Sequence, residues 1–167
     1  NLTKHGNRKV IFILGKGQLL NQSIVSKKPN ALFCEAVCPV KVIEIAEEQF
    51  LQLMEQSHAL TRAVLREYER NLWRMGHQLK NTTGNMQIER KIAAKLWKLG
   101  RDFGVDTEDG VMIDIDLTIT LMADLVGAPR ENVSRACKVL TDRGLIRYGN
   151  KRFILTDSDG LAEFYKM

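Results

Sequence analysis

The stretch that decides the fold runs Leu117-Thr-Ile-Thr-Leu-Met-Ala-Asp-Leu-Val-Gly-Ala-Pro-Arg-Glu-Asn-Val-Ser-Arg-Ala-Cys-Lys-Val-Leu140. Its spacing is that of two short helices joined by a tight turn. Two helices that cross closely need a small residue where they touch, and Ala123 supplies it. Four residues later the chain must turn sharply, and Gly127 accepts the positive φ this requires. Pro129 suits the first turn of the next helix, where a missing N–H is no loss. In that helix, predicted over 130–142, Val133, Ala136, Cys137 and Leu140 recur at i, i+3, i+4 and i+7 and form one buried face. The opposite face carries Arg130, Glu131, Ser134, Arg135 and Lys138.

That polar face has the chemistry of major-groove reading. An arginine donates two parallel hydrogen bonds to guanine O6 and N7, and a glutamate accepts from the cytosine amino group. Arg130, Glu131, Ser134 and Arg135 are the candidate base readers. A second feature follows, Leu145-Ile-Arg-Tyr-Gly-Asn-Lys-Arg-Phe-Ile-Leu155. Two apolar strands flank a turn placed at Gly149-Asn150, with Lys151 and Arg152 at a basic tip. This predicts a wing beside the recognition helix. Lys138, Lys151 and Arg152, with Thr118 and Thr120 at the start of the first helix, are the candidate phosphate contacts, which fix register and carry the salt dependence.

The charge distribution points the same way. The chain has 167 residues, with 25 Lys+Arg against 20 Asp+Glu. Between Arg130 and Arg152 seven cations face two acids, so the whole net charge of +5 falls inside the motif. A basic footprint on one element predicts a polyanionic partner.

Outward from the motif the pattern changes. Lys9–Leu14, Leu32–Val37 and Val40–Ile45 are rich in β-branched residues and phenylalanine and read as strands. A short helical segment, Glu47–Glu55, precedes a long helix predicted from Ser57 to Thr82. Within it Leu65, Tyr68, Leu72, Met75 and Leu79 recur at spacings of three and four, a narrow apolar seam flanked by charge that suits pairing with a second copy. Thr82–Asn85 reads as a polar hinge. A helix over Met86–Leu99 is predicted to stop at Gly100, and Val111–Asp116 alternates as a short strand. The predicted domains are a β-rich sensing module (1–56), a dimerisation helix (57–83) and a DNA-binding module (84–167).

Several function classes are excluded by what the residues do not supply. With 44% apolar and 27% charged residues the chain is globular. No apolar run approaches the roughly 18 residues of a membrane span, and no secretion signal opens the chain. A chain that opens on Asn1 reads as a fragment or a processed product. Three cysteines make no even disulfide framework, which favours a reducing, cytoplasmic setting. Cys34 and Cys38 are candidates for a thiol switch, but on a regular strand they would lie about 13 Å apart, so half-buried structural thiols are the plainer reading. Cys137 falls on the buried helix face. His5, His58 and His77 share no metal-ligand spacing, and no catalytic constellation appears, so neither a metal site nor an enzyme is expected.

A β-rich module, a long pairing helix and a winged helix containing Leu-Val-Gly-Ala-Pro-Arg-Glu-Asn-Val-Ser-Arg resemble the catabolite activator and fumarate–nitrate regulator (Crp–Fnr) superfamily of bacterial transcription factors. The resemblance covers most of the chain and is strongest over 113–155. It implies an α+β fold: a partial, cyclic-nucleotide-binding-like β-roll as effector module, a dimerisation helix and a C-terminal winged helix-turn-helix. It also implies a homodimer, a palindromic operator with TGTGA or TTGAT half-sites, and RNA polymerase as partner. The first 46 residues resemble only the second half of the β-roll, which implies a longer native product. Cyclic-nucleotide-binding members carry Gly-Glu-Leu and then Arg-Ser around the ligand phosphate; here Gln22 and Ser23 fall in the corresponding stretch and no arginine lies near Asn30–Leu32. A cyclic phosphate would lack its charge partner, so cyclic AMP is not the expected effector. Only Cys34 and Cys38 lie in the sensing region, short of the four ligands of an iron–sulfur cluster. The alternatives left open are a thiol-based regulator and a winged helix that binds a protein rather than DNA.

Overall fold

A computed structural model of the chain describes residues 8–20, 23–25, 28–30, 32–82 and 86–166. It divides into two compact units, one formed by the segment before Leu14 together with the residues from Asn85 onward, the other by Leu14–Gly84.

The first unit is a winged helix. Helix α3 (Ile88–Phe103) presents Ile92, Ala93, Leu96 and Leu99 to the core at helical spacing. It does not stop at Gly100 as the sequence suggests. The glycine leaves room for the sheet: a Cβ at Gly100 would stand 2.5 Å from Leu155 Cδ1, and one at Gly104 would be 2.6 Å from Val111 Cγ1 and collide with the Gly100 carbonyl. Strand β1 (Gly104–Thr107), which the sequence reading passes over, pairs with β2 (Gly110–Ile113). Helices α4 (Ile119–Val126) and α5 (Arg130–Asp142) follow, then β3 (Ile146–Gly149) and β4 (Arg152–Leu155). The strands form one antiparallel sheet in the order β1-β2-β4-β3. Helix α6 (Ser158–Lys166), also unforeseen, closes the unit by burying Leu161 and Ala162. Its signal is Asp157, whose carboxylate accepts the Gly160 N–H at 2.8 Å in the manner of a helix N-cap. One contiguous core joins these elements through Ile113, Leu117, Met122, Val133, Leu140, Ile146 and Phe153.

Residues 8–13 belong to this unit rather than to a β-module. Val10 N–H donates to the Asp124 carbonyl at 3.0 Å, the Arg8 guanidinium lies 3.4 Å from the Asp124 carboxylate, and Val10 and Ile13 pack on the core.

The second unit contains α1 (Glu47–Gln56) and α2 (His58–Thr82), at the places the periodicity predicts. The three strands expected before residue 46 do not form among the described residues, where the backbone shows only turns, bends and an isolated bridge at Arg8. High β propensity describes side chains suited to a pleated sheet, but a strand exists only beside a hydrogen-bonded neighbour. With no such neighbour, Phe33 is 85% exposed and Ile43 is 90% exposed. Val64, Glu67 and Asn71 form the buried face of α2.

Candidate nucleic-acid interface

Local chemistry sets the helix-turn-helix. Thr118 caps α4, its hydroxyl oxygen accepting the Leu121 N–H at 3.0 Å. Gly127 ends α4 in the left-handed region at φ 70°, and its N–H returns to the Ala123 carbonyl. Pro129 stands one residue earlier than expected, as the cap of α5, with its carbonyl accepting the Val133 N–H.

Helix α5 then divides as the spacing predicts. Val133, Ala136, Cys137 and Leu140 are buried, while Arg130, Glu131, Ser134, Arg135 and Lys138 are exposed. The Arg135 guanidinium donates to Asn132 Oδ1 one turn back, a partner the sequence reading does not name. Nη2 carries two hydrogens, so one remains beside Nη1 for a paired contact. Burial pushes the Cys137 thiol up to about 11, and the residue belongs to the core.

The wing is a two-residue hairpin, with the turn one residue later than predicted. Gly149 pairs with Arg152, leaving Asn150 and Lys151 at φ 49° and 59°. Positive φ at both central residues is a type I′ turn, whose twist matches that of the flanking strands. Lys151 occupies the exposed tip. Arg152 does not point freely outward: its guanidinium is paired with Asp114 and lies 3.6 Å from Asp116. Arg147 pairs with Asp109 at 2.8 Å. The carboxylates of Asp109 and Asp114 are each 38 residues from their arginine in sequence, beyond the reach of a local charge count. Thr120 is exposed on the first turn of α4.

On α2 the predicted seam faces solvent. Leu65 is 59% exposed, Leu72 is 72% exposed, Met75 is exposed and Tyr68 is half-buried; the side chain of Leu79 lies outside the described residues. Of the effector candidates, Gln22 lies outside the described residues and Ser23 is half-buried. A polar group absent from the sequence reading sits on the other face of α2: Gln18 Nε2 donates to Glu67 Oε1 at 3.4 Å, Arg70 pairs with Glu67, and Asn71 Oδ1 is buried with no partner among the described residues. A second i, i+3, i+7 stripe at Val64, Glu67 and Asn71 is the signal that could have found it. Cys34 and Cys38 are exposed and lie on irregular backbone rather than on a half-buried strand; the Cys34 thiol lies 3.7 Å from the Leu20 carbonyl. No described helix is long and apolar enough to cross a membrane.

Residues 90–164 match the Crp-like helix-turn-helix domain family. The chain is 25% identical over 158 residues to the CRP-like cAMP-activated global transcriptional regulator of Mycobacterium tuberculosis, covering 94% of this chain and 70% of that one. It is 26% identical over 132 residues to the global nitrogen regulator of a Nostoc species, covering 78% and 59%. Among solved structures, a CooA variant from Carboxydothermus hydrogenoformans shares the fold at a TM-score of 0.64 and 18% identity, over 71% of this chain and 54% of that one. A CRP/FNR-family regulator from Thermus thermophilus superposes at 0.57 with 23% identity, over 65% and 55%. The chain thus spans about 55% of the length of these structural neighbours. Residues 90–164 thus carry a Crp-like helix-turn-helix domain, and the chain as a whole is similar to Crp–Fnr transcription factors.

Proposed function

We propose that this chain is a sequence-specific DNA-binding regulator that works as a dimer on a palindromic site. The observation that carries this reading is α5 itself: four core side chains on one face, and Arg130, Glu131, Ser134 and Arg135 together on the other. A helix presented in this way fits the major groove, with arginines to guanine and Glu131 to cytosine. Lys151 at the wing tip, Lys138, and the hydroxyls of Thr118 and Thr120 take backbone phosphates. The exposed seam on α2 supports pairing of two copies, which would present two recognition helices to two half-sites. The unit spanning 14–84 receives an effector other than cyclic AMP, since no arginine near Asn30–Leu32 is placed to meet a cyclic phosphate. Such an effector shifts the population between DNA-competent and incompetent states.

The test is selection of DNA from a random pool, followed by binding of Arg135→Ala to the selected operator. Discrimination at one guanine of each half-site is expected to fall by about 1–3 kcal/mol. Lys151→Ala is expected to weaken binding to every sequence and to reduce the salt slope by about 1. Arg135→Ala binding as selectively as the unaltered chain would refute the assignment.

A further inference from the structure

The segment between β2 and α4 carries two carboxylates that no DNA-binding role explains. Asp114 and Asp116 both address Arg152, one in direct contact and one at 3.6 Å. Their backbone is held at both ends. Asp114 N–H donates to the Phe103 carbonyl at 2.8 Å, and Leu117 N–H donates to the Lys151 carbonyl at 2.7 Å. Leu117 is fully buried. The backbone that carries the two carboxylates is therefore held beside the wing. Asp114 and Asp116 are about as exposed as Asp109, but the Arg152 side chain is only about one-third exposed, whereas that of Arg147 is more than half exposed. A solvated single pair such as Arg147–Asp109 contributes almost nothing and yields to a competing phosphate. A guanidinium facing two carboxylates is a different case, because a phosphate must displace both, and the three side chains together carry net negative charge.

We propose that Asp114 and Asp116 withhold Arg152 from the DNA backbone, so that the tip of the wing offers a single cationic phosphate contact, Lys151. The pair then lowers sequence-independent affinity, because each phosphate neutralised strengthens binding to all sequences alike. This rests on the DNA-binding reading above and adds which wing charges engage the duplex.

The test compares the full chain, Asp114→Asn/Asp116→Asn, and the same double variant carrying Arg152→Gln, on a random-sequence duplex across a salt series. The double variant is expected to bind more tightly, with a salt slope steeper by about 0.9, the value of one added phosphate contact. Adding Arg152→Gln is expected to return the slope to that of the unaltered chain. A general relief of repulsion behaves differently, since the gain would survive Arg152→Gln, and that outcome overturns the proposal, as does an unchanged slope in the double variant. Thermal melting checks that each variant folds. Should the double variant not fold, Asp114→Asn alone is expected to steepen the slope in the same direction, and an unchanged slope there also overturns the proposal. Failure of the underlying reading has its own signature, no binding of the unaltered chain to any duplex, and it removes both.

Discussion

The winged unit and the 14–84 unit draw on the same kinds of apolar residue and use them differently. In the first, Ile92, Leu96, Ile113, Leu117, Met122, Leu140 and Phe153 converge on one core and leave almost no surface to water. In the second, Phe33, Val40, Val42, Ile43, Leu65 and Leu72 stay exposed, and Ile24 and Val64 are the buried apolar side chains among the described residues. The difference teaches that apolar side chains are covered where distant segments return to meet them, as β4 does beside β2, whereas Phe33 and Ile43 have no such neighbour among the described residues.

The largest expected effect sets the two units against each other directly. Phe153→Ala removes a fully buried ring and is expected to cost about 3–5 kcal/mol in urea unfolding. Ile43→Ala should stay within about 0.5 kcal/mol. Equal costs would show that Ile43 is covered in solution, and the contrast would collapse. Next, Leu72→Glu is expected to weaken self-association at least tenfold in sedimentation, about 1.4 kcal/mol, while the winged unit unfolds as before. An unchanged mass distribution would mean that the exposed seam is not where copies meet.

The cysteines sharpen the comparison chemically. At pH 8 Cys34 and Cys38 should react with an aromatic disulfide reagent, and Cys137 only after unfolding. Because burial raises the Cys137 thiol from 9.0 to about 11, the unfolded chain loses that proton first and the folded chain holds more protons between those values. This contribution to stability is therefore complete below pH 9 and is lost as pH climbs toward 11, at up to about 1.4 kcal/mol per unit. A Cys137→Ala variant should lack that slope. Smallest, Thr118→Ala removes the α4 cap and is expected to cost about 1 kcal/mol, read from the melting of the winged unit.

What was legible in the sequence was local. The two faces of α5, the Gly127 turn and the extent of α2 follow from side-chain periodicity and turn chemistry within a few residues. The strands that propensity predicts before residue 46 do not form among the described residues, because propensity carries no information about a partner. Gly100 reads as a stop because its intrinsic cost is visible in sequence, while the Leu155 side chain that fills the space is 55 residues away. Helix α6 has a local signal in Asp157, whose carboxylate caps it, but the segment is too short for periodicity alone to mark it. On the wing, a local charge count does not see that Asp114 and Asp116 stand beside Arg152, because only the folded sheet brings them alongside.

The end of α3 also constrains how the domain can be altered. Exchanging a helical glycine for alanine is an ordinary route to a sturdier protein, yet at Gly100 the missing methyl group is the socket into which Leu155 of the sheet fits. At Gly100 an added carbon asks a leucine tip to give way, and at Gly104 it asks the same of a carbonyl in the main chain. Reinforcement has to come from elsewhere, because in this corner emptiness on the helix is the shape the strands were cut to match.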